Sequence, residues 1–281
     1  MSLQVVESAP VTPTDTPAPA EEGRRWTWAD RPSWVGGVFG IVGLLAIWEI
    51  LAVVTFPKTH IIPTPQAVLV TMFHDPGYSV WENAGVTAEE AALGWFWGNL
   101  IALSLAGMFL LAPVLERPLL KLALASYCMP IVAIGPILYV VLSGSAPRIA
   151  IAAIAVVFTT LTGALVGLRS ADPISLDMVQ AYGGGRWMQL RKVRFKAALP
   201  ATFAGLSIAA PAAVLGAIVG EYLGGETGLG TTMVLAEQAF DIRRVWAIAM
   251  VATLVAGIGY LVTTAVGRLV TPWAPRAARR V

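Results

Sequence analysis

The stretch from Arg169 to Pro200, RSADPISLDMVQAYGGGRWMQLRKVRFKAALP, concentrates the charged side chains of an otherwise apolar chain. Its basic residues are Arg169, Arg186, Arg191, Lys192, Arg194 and Lys196, and its acidic residues are Asp172 and Asp177. Such a set suits charge recognition at an anionic surface, and a basic loop resting on lipid headgroups has this composition. It is too charged to sit in hydrocarbon. At about 30 residues it is also long for a simple connection between packed helices. The stretch reads as an ordered, water-facing insertion between membrane segments.

Other chemistry-bearing groups offer less. Glu49 lies in an apolar run beside Trp48, and an intramembrane acid is a functional candidate by default. The Trp-Glu pair suits packing or helix pairing. The segment Gly225 to Thr232, GETGLGTT, has glycines five apart like a phosphate loop, but Thr231 stands where the phosphate-reaching lysine belongs. ATP binding there is rejected. His60 and His74 are far apart and lack cysteine or carboxylate neighbours, so no metal site is expected. The single cysteine, Cys128, lies in an apolar run and packs as a small hydrophobe. No acidic or nucleophilic cluster suggests catalysis, and no charge series within the apolar runs suggests a proton relay.

Local signals within the charged stretch predict two short helices. Asp172 is a good N-cap and Pro173 fits the first helical position, where a missing N–H costs nothing. Ile174 and Met178, or Leu176 and Val179, recur at helical spacing. Gly183, Gly184 and Gly185 break that helix. A second helix follows with Trp187, Leu190 and Val193 on one stripe, and Pro200 ends it at the membrane.

The elements that must position this stretch are apolar. The chain has 281 residues, 57% of them hydrophobic and 13% charged, about half the charge of a soluble domain. The expected fold is an all-α integral membrane protein with a bundle of six transmembrane helices. The spans run over about 36–56, 91–111, 119–142, 148–168, 201–223 and 245–270. Residues 1–34 are expected to form a disordered tail and an interfacial Arg/Trp segment, 35–270 the six-span domain, and 271–281 a basic tail. Residues 224–244 are expected to be a polar re-entry or outer loop. With both termini cytoplasmic, 15 Lys and Arg fall inside and 4 outside. That bias places the 169–200 stretch in the cytoplasm of a multi-pass plasma-membrane protein.

The stretch resembles the cytoplasmic EAA loop of ABC-importer permeases. Asp177, Met178 and Val179 stand where Glu-Ala-Ala usually stands, Gly183 matches the loop glycine, Arg186-Trp187 the following Arg-Trp, and Leu199-Pro200 the closing pair. The triplet departs in all three letters, although Asp177 keeps the charge. Glu89 and Glu90 stand where the family usually has a basic residue before Gly94. The resemblance extends over roughly Trp48 to Val270 and is closest to the nitrate, sulfonate and taurine permease group.

This resemblance implies coupling helices within 169–200 that dock in a groove of a cytoplasmic ATPase subunit. Asp177, Gly183, Gly184, Arg186, Trp187, Leu199 and Pro200 are the implied coupling residues. It also implies a second permease copy, identical or a close paralogue, and an extracytoplasmic substrate-binding protein. ATP and Mg would bind the ATPase, with no cofactor in this chain, and no nucleic-acid partner is expected. The cargo would be a small solute, either a sulfonate-, nitrate- or taurine-like anion or a vitamin-precursor heterocycle. Pro130 and Pro136 match the third-span proline pattern, and with Ser126 and Tyr127 they are the candidate translocation path. The alternative is a self-sufficient secondary carrier or channel, which would need coupling charges inside the spans.

Overall fold

A chain segment that leaves water must satisfy its backbone polar groups internally, and a helix does this within one segment. In the computed structural model, which describes residues 33–55, 61–74 and 79–274, every regular element is helical. The helices are α1 (Ser33–Ile50), α2 (Pro65–His74), α3 (Val80–Leu111), α4 (Pro113–Cys128), α5 (Ile131–Val141), α6 (Ala146–Arg169), α7 (Pro173–Ala181), α8 (Arg186–Gln189), α9 (Phe195–Gly224), α10 (Leu229–Gln238) and α11 (Ile242–Val270). Short π-helical turns, Leu51–Thr55 and Leu190–Arg194, follow α1 and α8. The chain divides into two units, with α1 up to Leu44 in the first and the elements from Leu45 in the second. The expected tails fall largely on residues 1–32 and 275–281, which lie outside the described residues.

Five described helical stretches are long and apolar enough to cross a membrane: Gly36–Val54, α3, α6, Arg186–Gly224 and α11. The expected span at 119–142 is instead two helices, α4 and α5, that meet at Met129 and Pro130. Pro130 lacks an N–H and drives Met129 into the extended region, at φ −69° and ψ 131°. The proline therefore breaks the expected span into two helices. Pro136 is absorbed within α5.

A further expectation needs correction. Pro200 does not end a helix but lies inside α9. An interior proline costs about 3 kcal/mol or more in a helix. Close packing against α6 holds the chain helical here, because a β-carbon at Gly167 would lie 2.7 Å from the Ala198 carbonyl oxygen. The 224–244 segment, expected as a polar re-entry or outer loop, contains α10.

In the second unit α6 lies between α3 and α9. Ala152 touches both neighbours, Gly94 from α3 and Gly216 from α9. The four-residue glycine spacings at 94/98, 163/167 and 216/220 are all real close approaches, whereas Gly36 and Gly40 face open space. Hydrocarbon gives little drive for apolar helices to associate, so small residues that admit close backbone contact set the packing. The core is accordingly rich in alanine, with Ala91, Ala152, Ala209, Ala213 and Ala217 in one cluster. A second cluster joins Phe109, Leu161, Leu165 and Ala198. Polar ties between the helices include the Thr160 hydroxyl to Asn99 Oδ1 and Trp95 Nε1 to the Leu206 carbonyl at 3.2 Å.

Candidate functional site

The 169–200 stretch forms an elbow between the two most extensively packed helices, α6 and α9. Asp172 caps α7, accepting from the Ser175 amide at 3.1 Å and the Ser175 hydroxyl at 2.9 Å. These Ser175 hydrogen bonds hold the Asp172 carboxyl below the usual aspartate range. Gly183 has φ +79°, a left-handed conformation that favours glycine. Gly184 is buried, and a β-carbon there would lie 2.7 Å from the Val179 carbonyl oxygen. The turn thus needs its glycines for two separate reasons.

Three contacts hold the elbow, one within it and two at its ends. Gln189 Nε2 donates to the Leu176 carbonyl at 3.3 Å and binds α8 to α7. Arg194 Nη1 donates to the Leu168 carbonyl at 3.1 Å and binds the exit of the elbow to the end of α6. Arg169 pairs with Glu116 of α4. No residue of α7 or α8 is buried. Asp177, Gly183 and Arg186 are exposed, as are the apolar side chains of Ile174 (74%), Met178 (60%), Tyr182 (87%) and Trp187 (63%). Ile174, Met178 and Tyr182 are spaced by four, so they line one face of α7. Tyr182 was not singled out from sequence, although its spacing could have found it. Leu199 and Pro200 sit half-buried within α9, apart from the exposed face.

The candidate path residues gather only in part. Tyr127 stacks on Phe158 of α6 with ring centroids 4.7 Å apart. Pro130 and Pro136 are exposed, and the Ser126 side chain lies outside the described residues. A cavity of about 920 Å³ opens elsewhere, between α9 and α11 near the elbow. Ser207, Tyr260, Thr264 and Arg268 give it polar groups, and Pro200 and Phe203 line it too. Tyr127, Pro130 and Pro136 are not among its lining residues.

A buried polar node at the opposite end of α6 and α9 was not recognised from sequence. Arg148 Nη2 pairs with Glu90 Oε1 at 2.8 Å, with side chains only 11% and 5% exposed. Glu221, 1% exposed, accepts from the Gly230 amide at 2.7 Å. The Leu229 amide donates to Thr87 Oγ1 at 2.9 Å and the Gly228 amide to Asn83 Oδ1 at 2.8 Å. Tyr139 donates to the Gly220 carbonyl at 2.8 Å. The phosphate-loop-like segment therefore does present successive backbone N–H groups to acceptors, but the acceptors are this chain's own side chains. Gly228, at φ +108°, allows that turn, and a β-carbon there would strike the Glu221 carboxyl. Only the oddity of Glu89 and Glu90 hinted at the node, because residues 58 and 131 positions apart leave no spacing signal.

Comparison with known proteins fits this geometry. The family described as the binding-protein-dependent transport system inner membrane component matches residues 98–275. A probable ABC transporter permease protein of Haemophilus influenzae is 33% identical over 74% of this chain and 85% of its own length. The riboflavin transport system permease protein RibX of Chloroflexus aurantiacus is 26% identical over 82% of this chain and 87% of its own length. Among solved structures, a chain of the MetNI methionine ABC transporter, in inward-facing conformations, superposes with a TM-score of 0.60. That match covers 68% of this chain and 96% of the other at 16% identity, a likeness of fold. With helices long enough to cross a membrane and a family match over most of its length, the chain belongs to the inner membrane components of binding-protein-dependent transport systems, the permease subunits of ABC importers.

Proposed function

We propose that the α7–α8 elbow is the docking element for a cytoplasmic ATPase subunit. The observation that carries this reading is an exposed, partly apolar face held on a stiff frame. Ile174, Met178, Tyr182 and Trp187 are exposed beside Asp177 and Arg186, while Gln189 ties α8 to α7 and Arg194 ties the exit of the elbow to the end of α6. Exposed aromatic and long apolar side chains bordered by charge mark an interaction surface. Trp187 supplies the anchor that enters the partner's groove and Arg186 a directional charge. Closure of an ATPase dimer around ATP and Mg would move the elbow, and α6 and α9 would tilt with it to switch access across the bilayer.

In this reading the elbow and both termini are cytoplasmic, in keeping with 15 basic residues on that side against 4 on the other. The broken pair α4–α5 makes the third of six passes. A second permease copy completes the path, and an extracytoplasmic binding protein delivers the solute. The cargo class is a small heterocycle, the class named for RibX, or a small organic or inorganic anion.

The test is co-purification of the chain with its ATPase companion, with Gly183→Glu as the probe. The φ of +79° and the exposed position make that change damaging to the elbow and harmless to the buried core. The variant is expected to insert normally, lose the companion and stop ATP-driven transport. Normal transport by Gly183→Glu would refute the assignment.

A further inference from the structure

Glu90, Arg148 and Glu221 have no part in docking, yet they are among the least accessible charged groups described. We propose that they are positioning residues for transport. They form a lock on the outer end of the permease that is closed in this structure and breaks when the path opens outward. The proposal rests on the import reading above and adds the outer counterpart of the elbow.

The placement carries the argument. Arg148 lies in the first turn of α6 and Glu221 in the last turn of α9. The other ends of these two helices are the ends that enter and leave the elbow. From Arg148 to Arg169 is about 32 Å along a helix, so each helix is a lever with the elbow at one end and a lock charge at the other. Glu90 brings in α3, and the Glu221 bond to Gly230 brings in the start of α10. The node therefore joins four elements at the end farthest from the motor.

The energetics are those of a catch that can open. The helices meet tightly here, since a β-carbon at Gly220 would lie 2.9 Å from the Arg148 Cα. The 2.8 Å pair is nearly buried and charge-assisted, which makes it strong. However, Arg148 Nε has no hydrogen-bond partner among the described residues, and the Glu90 and Glu221 carboxyls, two acids around one arginine, face each other. Buried polar atoms left unpaired are costly, and water would satisfy them if the helices parted. Attraction favours the closed node while hydration favours the open one. Movement of α6 against α3 would break the Arg148–Glu90 pair, and movement against α9 would part Arg148 from Gly220 and the neighbouring Glu221.

The experiment uses the full complex, with its ATPase subunits, in liposomes. A cysteine replaces Ala91, which is 3% exposed and adjoins Glu90, in a Cys128→Ser background. A membrane-impermeant maleimide added outside reports opening. In the otherwise unaltered complex, labelling is expected to be slow at rest and faster when ATP and vanadate trap the motor. Arg148→Met should raise the resting rate about tenfold and raise ATP hydrolysis in the absence of binding protein. The transposed Glu90→Arg/Arg148→Glu variant should bring both readings back down, which a purely structural role would not require. If Arg148→Met does not assemble, Glu221→Gln, nearly identical in shape, is expected to show the same change more weakly. The lock is overturned if assembled variants label at the unaltered rate, if the transposed variant labels like Arg148→Met, or if trapping does not change labelling in the unaltered complex. Failure to assemble with any ATPase would instead sink the import reading itself, whereas a working complex with silent variants sinks only the lock.

Discussion

The elbow and the outer node sit at opposite ends of the same two helices, α6 and α9, and they are built by opposite means. The elbow is exposed, and local contacts shape it: a cap three residues from its donor, a left-handed glycine, a side-chain bond thirteen residues long. The node is buried and assembled from residues 58 and 131 positions apart. One end leaves apolar and charged side chains exposed, as the proposed docking needs, while the other pairs its charges within the chain. A lever between a motor and a gate needs this asymmetry, because its motor end must be recognised and its gate end must be able to hold and release.

The largest effect separating the two ends is expected from Gly183→Glu. It should abolish ATPase association and transport, read by co-purification, with little change in thermal unfolding. Arg148→Met should do the reverse. Removing one partner of a buried ion pair costs about 3–5 kcal/mol, and the incomplete hydrogen bonding here puts this case toward the lower end. The unfolding midpoint in detergent should fall clearly while the ATPase still binds. Arg169→Met breaks the comparable pair at the elbow, where the side chains are 52% and 23% exposed. Its expected cost is about 0–1 kcal/mol. Equal losses from Arg148→Met and Arg169→Met would erase the distinction drawn between the two ends.

Between these regions lies the helix packing, which gives an intermediate test. A β-carbon at Gly216 would lie 2.7 Å from the Ala152 Cα, so Gly216→Leu overpacks the α6–α9 contact. The expected cost is about 1–3 kcal/mol, read as a lower unfolding midpoint. Gly40→Leu, whose site faces open space, should leave the midpoint unchanged and serves as the control.

What was legible in the sequence follows the same division. Asp172-Pro173, the Gly183–Gly185 break and Arg186-Trp187 could be read because their partners are near in sequence, and the structure places them in a capped helix, a left-handed turn and an exposed second helix. The apolar runs predicted helices, and glycines four apart do lie at close approaches at 94/98, 163/167 and 216/220 but not at 36/40. Proline was misread in both directions. Pro130 broke a span expected to be continuous, and Pro200 was absorbed by a helix expected to end there, because tertiary packing decides whether a lost hydrogen bond is tolerated. The node could not be read because an Arg at the start of one helix and acids on two others share no spacing. Glu90 stood out in the sequence as an unexplained acid, and only the fold supplies its partner.

The smallest effect tests how much of the elbow's shape is local. Asp172 accepts from the Ile174 and Ser175 amides and from the Ser175 hydroxyl, and these bonds lower its pKa below the ordinary aspartate value. The cap's contribution is therefore fully present above the unfolded aspartate pKa. It is lost as pH falls through the lower, folded value, when the protonated carboxyl no longer accepts as well. Hydrogen exchange at Ile174 and Ser175 should accordingly speed up, after correction for intrinsic rates, as pH falls through the acid range, while amides within α6 stay protected. Asp172→Ala should show the faster exchange at every pH, and Asp172→Asn should show less of it and no pH step. An exchange profile for Ile174 and Ser175 that is flat across the acid range would mean that the contacts of Gln189 and Arg194, not the cap, hold α7 in place. The elbow would then owe its shape to tertiary ties, as the node does.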